Sequence, residues 1–320
     1  MKVAFGATVI VVGALMCTSG STAFAQNYPT KPIRFIVGPG SDLVPCLVGQ
    51  KLGSAWGQQL VIEARPGSGG VIAAELVAKS PPDGYTLLNT TGSYTINSGL
   101  YPNLPYDFVR DLAPVTLNAT LPLVLVVHPS LPVNSVQDLI KLARAKPGQL
   151  DCASSGNGTS AHLACEMLRT VGKVETVHVP YKGLPAANLA LIGGHVHMLF
   201  AAPVEGLQHI QSGKMRALGV SGRKRMAAAP EIAPIAELGI ADFSYETWNG
   251  VHVPAGTPKA IIAKLNAEII NALRLTDIRD RLQSLGMEPV GNTPEEFAAF
   301  IKEDLARTAK VIKASGMRVD

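Results

Sequence analysis

The 320-residue sequence contains no G-x-S-x-G elbow, no H-E-x-x-H helix and no Walker loop. Serine, histidine and aspartate are all present, but none stands where a neighbour would activate a nucleophile, so no catalytic residue is expected. Cysteine is scarce. Cys17 falls in the N-terminal leader, and the three that remain, Cys46, Cys152 and Cys165, are an odd number that excludes a full disulfide framework. Cys152 on an expected strand and Cys165 on the following helix are either bridged or free, and spacing does not decide between them. No pair has metal-ligand spacing. His195 and His197 form an H-x-H on an expected strand, but a third ligand is missing, so they read as structural histidines and neither metal nor cofactor is expected. Charge of one sign is also lacking: 28 Lys and Arg oppose 24 Asp and Glu. The one basic cluster, Arg223-Lys224-Arg225, has no interleaved aromatics, which excludes a nucleic-acid platform. After the leader, no apolar run reaches bilayer length.

What is present begins with that leader. Lys2, the apolar stretch from Val3 to Met16 and the small residues ending Ala23-Phe24-Ala25 read as a secretory signal peptide over residues 1–25, cleaved before Gln26. The remaining 295 residues suffice for two medium lobes with real cores. Secretion of a soluble protein follows as an expectation.

Strand and helix patterns alternate along the chain, which argues for α/β lobes with parallel sheets. Strands are expected at 33–37, 60–64 and 85–88, and helices at 43–56 and 71–79. Asp42 stands at the N-cap position of the first helix, and Pro45 falls in its first turn, where no backbone donor is needed. A second series has strands at 151–154, 176–180, 197–201 and 217–221 and helices at 159–171 and 184–192. Ser135 with Asp138, Thr257 with Pro258, and Thr293-Pro294-Glu295-Glu296 mark three further helix starts. The last two helices are expected to pack back on the first lobe. The boundaries are then residues 26–127 plus 223–320 for lobe 1 and 128–222 for lobe 2, a layout that suits hinge closure.

Two glycine-rich turns, each between a strand and a helix, carry the chemistry. Glycine lets a ligand approach the main chain, and a helix start offers unpaired N–H groups with roughly half a positive charge, so each turn is a candidate anion site. The first runs Gly38-Pro39-Gly40-Ser41-Asp42. The second is SSGNGTSAH, residues 154–162, where Thr159 or Ser160 can cap the helix and Gly156 and Gly158 leave the backbone open. His162 reads as a packing residue rather than a contact. Gly67-Ser68-Gly69-Gly70 lacks the third glycine of a dinucleotide fingerprint and reads as tight strand-to-helix packing. Thr90-Thr91-Gly92-Ser93-Tyr94 is hydroxyl-rich, and Thr91 and Ser93 are candidates for the first lobe's side of a cleft.

Pro32-Ile33-Arg34-Phe35-Ile36-Val37, Glu63-Ala64-Arg65-Pro66-Gly67-Ser68-Gly69-Gly70, Pro82-Asp83-Gly84-Tyr85-Thr86-Leu87, SSGNGTSAH, Val179-Pro180-Tyr181-Lys182-Gly183 and Pro254-Ala255-Gly256-Thr257-Pro258 occur in this order. Together they resemble the solute-binding receptors of tripartite tricarboxylate transporters, the Bug family, over essentially all of residues 28–320. The resemblance implies a two-lobed periplasmic binding protein fold, type II-like, each lobe a mostly parallel sheet flanked by helices with the ligand cleft between lobes. It implies capture of a small organic carboxylate and delivery to membrane permease subunits by a monomer that uses no cofactor. It maps the ligand onto Gly38 to Asp42 and Ser155 to Thr159, and with Thr91, Ser93 and Tyr181 the candidate ligand-binding residues are Pro39, Gly40, Ser41, Asp42, Thr91, Ser93, Ser155, Gly156, Asn157, Gly158, Thr159 and Tyr181. The first turn is shorter than the family's P-x-P-x-G-G-x-x-D form, and Ala201-Ala202 stand where relatives often carry polar residues. Two other readings use the same cleft: a secreted enzyme acting on a small carboxylate, and a ligand sensor not coupled to uptake.

Overall fold

The computed structural model describes residues 28–38, 42–65 and 67–318; the leader, its cleavage site and the turn residues Pro39, Gly40 and Ser41 lie outside the described residues. In chain order the strands are β1 (Ile33–Val37), β2 (Leu60–Ala64), β3 (Thr86–Thr91), β4 (Leu112–Pro122), β5 (Val124–Val127), β6 (Asp151–Ser154), β7 (Val177–Pro180), β8 (Met198–Ala201), β9 (Arg216–Val220), β10 (Glu246–Pro254) and β11 (Glu288–Pro289). The helices are α1 (Leu43–Trp56), α2 (Val71–Ala78), α3 (Gly92–Leu100), α4 (Val136–Ala145), α5 (Ser160–Val171), α6 (Leu184–Ile192), α7 (Pro203–Gln211), α8 (Lys259–Arg274), α9 (Thr276–Ser284) and α10 (Pro294–Ser315).

These elements build two mixed sheets, ordered β11-β4-β10-β3-β1-β2 and β7-β6-β8-β5-β9. Each keeps the expected parallel group, β1 with β2 and β3 in the first and β6 with β7 and β8 in the second. Antiparallel strands extend both groups, because the chain enters and leaves each lobe as strand rather than helix. β4 pairs antiparallel with β10, and β5 pairs antiparallel with β8 and β9. Helices cover both faces of each sheet, with apolar clusters around Phe35 and Leu87 on one face of the first sheet and Ile36 and Leu88 on the other.

The sequence places the passages between lobes near Pro129–Pro132 and at Gly222. In the structure the chain changes sheet at Leu123, between β4 and β5, and again between Val220 and Glu246, with Met226, Ile235 and Phe243 packed on the second sheet's clusters. Ser221 laces the two passages together. Its N–H donates to the Leu123 carbonyl at 2.8 Å, and its hydroxyl accepts from the Leu123 N–H at 2.8 Å and donates to the Tyr245 carbonyl at 2.5 Å.

The C-terminal helices behave as two cases. α8 and α9 pack on the first lobe through Ile261, Leu265, Ile269 and Leu282. α10 begins there, with Phe297 and Ile301 in the first lobe's core, but its last turns bring Val311 and Ile312 onto the second lobe's cluster, and the Arg169 guanidinium donates to the Ser315 carbonyl. It is a third link between lobes. Thr293 and Glu296 close the capping box, at 3.2 Å and 2.9 Å. Thr257 does not cap α8: its hydroxyl donates to the Pro254 carbonyl, and Pro258 occupies the N-cap position.

Candidate functional site

The second glycine turn shows most directly how sequence becomes a site. Strand β6 delivers Ser154, whose hydroxyl accepts the Gly156 N–H at 3.1 Å and lies 2.6 Å from His178 Nε2. Gly156 and Gly158 both adopt positive φ, 130° and 72°, where a side chain would be strained. Thr159 is the N-cap of α5: its Oγ1 accepts the His162 N–H at 3.5 Å and donates to the Gly156 carbonyl at 2.8 Å. Its hydroxyl therefore serves the turn itself.

After these internal bonds, the main-chain N–H groups of Ser155, Asn157, Thr159, Ser160 and Ala161 have no partner among the described residues. They belong to half-buried or buried residues at the start of a 12-residue helix. Unpaired donors and the helix dipole at one place favour an anion.

The turn is fastened from behind. Cys152 and Cys165 are bonded, with sulfurs 2.00 Å apart and Cα atoms 6.1 Å apart, so the loop they close contains the whole turn. This settles the alternative that spacing left open. Tyr181 N–H donates to the Ser154 carbonyl at 3.0 Å and Gly183 N–H to the Ser155 carbonyl at 3.2 Å, while the Tyr181 ring packs on the second lobe's core.

His162 and His178 stack beneath the turn with ring centroids 3.6 Å apart and planes 5° from parallel. His162 Nδ1 accepts the Gly158 N–H at 3.3 Å, so its proton sits on Nε2. Burial pushes His162 down to about 3, with the neighbouring His178 adding to the effect, and burial pushes His178 down to about 4. Both rings are neutral at pH 7. The unfolded chain, with histidines near 6.5, binds protons that the folded one refuses, so their contribution is intact above pH 6.5 and is lost as pH falls toward 4. Each ring removes up to about 1.4 kcal/mol per pH unit in that window. Urea unfolding at pH 7 and pH 5 is expected to show a smaller pH dependence for His178→Phe than for the wild type; an equal dependence would contradict the assignment.

The first lobe meets this turn through α3. Thr91 caps that helix by accepting the Ser93 N–H at 3.4 Å, and Thr91 and Ser93 stand at its start. The Ser160 hydroxyl of the second lobe bonds Thr247 of β10 at 2.8 Å, and a Cβ on Gly92 would lie 3.3 Å from it. One turn along α3, Asn97 donates to the Gly69 carbonyl at 2.8 Å, and a Cβ on Gly158 would clash with its Oδ1. Gly38, the last described residue before the first turn, lies against Tyr94, whose buried hydroxyl has no partner among the described residues, and near Gly70. Gly38, Gly69 and Gly158 thus meet around Tyr94 and Asn97, two residues of one helix face.

Of the expected site, Thr91, Ser93, residues 155–159 and Tyr181 gather at this junction, and Pro39, Gly40 and Ser41 lie outside the described residues. Asp42 occupies the N-cap position of α1, but its exposed side chain makes no capping bond. Gly67 to Gly70 do pack strand to helix, and they also form a wall of the junction. Tyr94 closes the hydroxyl-rich stretch that the sequence marks, whereas Asn97 and Thr247 carried no motif that marked them. His195 and His197 stand in the turn before β8 rather than on it; His195 is exposed, and His197 Nδ1 lies 3.1 Å from Asp151. Among the described residues no group of three His, Cys, Asp or Glu is placed to hold a metal, and no helix is long and apolar enough to cross a membrane.

Comparison with known proteins adds independent findings. A model of the tripartite tricarboxylate transporter family receptor matches residues 47–317. Protein BugT of Bordetella pertussis is 36% identical over 323 residues, covering 97% of each chain. Among solved structures, Rpa4515 of R. palustris with adipate superposes with a TM-score of 0.86 at 34% identity, over 91% of this chain and 99% of that one. MatC of Rhodopseudomonas palustris with bound malate gives 0.82 at 28% identity, over 89% and 100%.

Proposed function

Because the chain belongs to the tripartite tricarboxylate transporter receptor family, a family of solute-binding receptors rather than enzymes, we propose that it captures a small organic carboxylate between its lobes and delivers it to a membrane permease of that transporter class. The reading includes secretion to the periplasm and binding through residues 39–42, Thr91, Ser93, residues 155–159 and Tyr181. The observation that carries it is the row of partnerless N–H groups opening α5, set against the first lobe where Ser160 meets Thr247.

Magnitudes favour two lobes acting together. A hydrogen bond to a charged group contributes about 1.5–3 kcal/mol, a helix end roughly 0.3–1 kcal/mol, and micromolar affinity needs about 8 kcal/mol after ordering the ligand. One turn falls short. Donors from both lobes, brought together by closure, reach that range, so closure contributes to the binding free energy. None of the residues gathered at the junction carries a positive side chain, and main-chain donors take over that role.

A thermal-shift panel of mono-, di- and tricarboxylates tests the reading. At 100 times its dissociation constant, a bound acid stabilises by about 2.7 kcal/mol. At least one acid is expected to raise the melting temperature by several degrees and to be recovered chemically unchanged. A panel with no shift, or a consumed acid, would contradict the proposal.

A further inference from the structure

Three asparagines lie buried on one face of the first sheet, just below the junction. Asn89, on the central strand β3, is 0% exposed, and neither its Oδ1 nor its Nδ2 has a partner among the described residues. Asn118, 1% exposed, donates from Nδ2 to Asn249 Oδ1 at 3.0 Å, but its own Oδ1 is unpartnered. A buried amide left unpaired at both ends is a standing liability, since each unmet group forgoes the hydrogen bonds it had in water.

Register places them together and toward the ligand end of the sheet. Asn89 is flanked by Val37 of β1 and Val251 of β10, and Asn249 stands opposite Thr91, two residues further along β3 on the same face. Asn249 and Asn89 are therefore diagonal neighbours across the strands. Val37 runs directly into the first glycine turn, and Thr247, the next residue of β10 on this face, touches Ser160. Val204, at the start of α7 in the second lobe, packs into the cluster formed on this same face. The rest of that cluster lies under the first lobe's own α1, α8 and α9, through Val44, Val48, Leu265 and Leu282, so the second lobe meets this face at Val204 and at the Thr247–Ser160 contact.

We propose that Asn89, Asn118 and Asn249 form an uncharged subsite continuing the cleft, which takes the hydroxyl of a small hydroxy acid and so selects among carboxylates. This rests on the carboxylate-receptor reading. Two open acceptors and one open donor suit a hydroxyl, which can donate once and accept. No Lys or Arg is among the buried described residues, so nothing there would balance a second bare carboxylate.

Calorimetric titration with propionate and lactate, succinate and malate, and glutarate and 2-hydroxyglutarate tests this, because each pair differs by one hydroxyl. The wild type is expected to bind the hydroxylated member of the accepted pair at least about tenfold more tightly, since a site built to bond a hydroxyl rejects the analogue lacking it. Asn89→Leu, close in size, is expected to bring that ratio near one while leaving the plain acid's affinity within about threefold, and to raise the melting temperature without ligand. A merely structural amide would instead destabilise the protein when replaced and leave the ratio untouched. Asn118→Leu gives the same reading should Asn89→Leu not fold. An unchanged ratio in a folded variant, or no hydroxyl preference in the wild type, would overturn the subsite and leave the amides to ordered water. If the wild type binds neither member of any pair, the carboxylate reading fails first and the subsite with it.

Discussion

Gly158→Ala is expected to weaken binding of the tightest acid of the panel by tenfold or more, alongside a loss of stability of about 1–2 kcal/mol. Gly158 has φ 72°, and an L-residue in that region costs roughly 1–2 kcal/mol. The added carbon also meets Asn97 Oδ1, on an amide held in place by its bond to the Gly69 carbonyl. Either the turn or Asn97 must move. A shift of the turn re-aims the free N–H groups of Asn157, Thr159 and Ser160, and a shift of about 1 Å at such a site is enough to lose most of a charge-assisted bond. Gly148→Ala is the matched control, because Gly148 has φ 68° with nothing within 4 Å of its Cβ position. It carries the same backbone strain far from the junction. Calorimetry on both variants should show reduced affinity in the first alone; equal affinities would mean that Gly158 does not shape the binding surface.

The second large effect concerns the bridge from Cys152 to Cys165. Its sequence separation of 13 encloses the full glycine turn, and both sulfurs are buried at the interface of β6 and α5. Closing a loop of about 15 residues removes unfolded-state entropy worth about 3 kcal/mol. The double variant Cys152→Ala, Cys165→Ala, made with Cys46→Ser so that no thiol remains in residues 26–320, is expected to lose about that much. Its melting temperature should fall by roughly 5–10 °C. Affinity should fall as well, because a turn freed from its tether must be ordered by the ligand. A variant that melts with the wild type would show that packing alone holds the turn.

Much of this arrangement could be read along the chain, and the unreadable part has a common cause. Strand β1, helix α1, the α5 start at Thr159 and the α10 capping box are local, set by apolar runs, glycines and hydroxyls a few residues apart. The antiparallel strands that make both sheets mixed are not local: β4 and β10 pair across more than a hundred residues, and their apolar alternation does not name a partner. The junction failed to show for the same reason. Asn97 meets Gly69 from 28 residues away, and Ser160 meets Thr247 from 87. Even the correct placement of Asp42 at a helix start did not predict its side chain, which points to solvent while the backbone at ψ 2° makes the entry. His178 illustrates the converse. It sits on a half-exposed strand with no motif, yet it stacks on His162 and bonds Ser154, so it holds the turn that the glycines announce.

The most direct test of the two-lobed site is a titration followed amide by amide. With isotope-labelled protein and the acid selected by the thermal panel, the N–H resonances of Ser155, Asn157, Thr159 and Ser160 in the second lobe and of Gly38, Asp42 and Ser93 in the first should shift together, with one dissociation constant. Shifts confined to one lobe, or two groups titrating with different constants, would contradict a single carboxylate held between them.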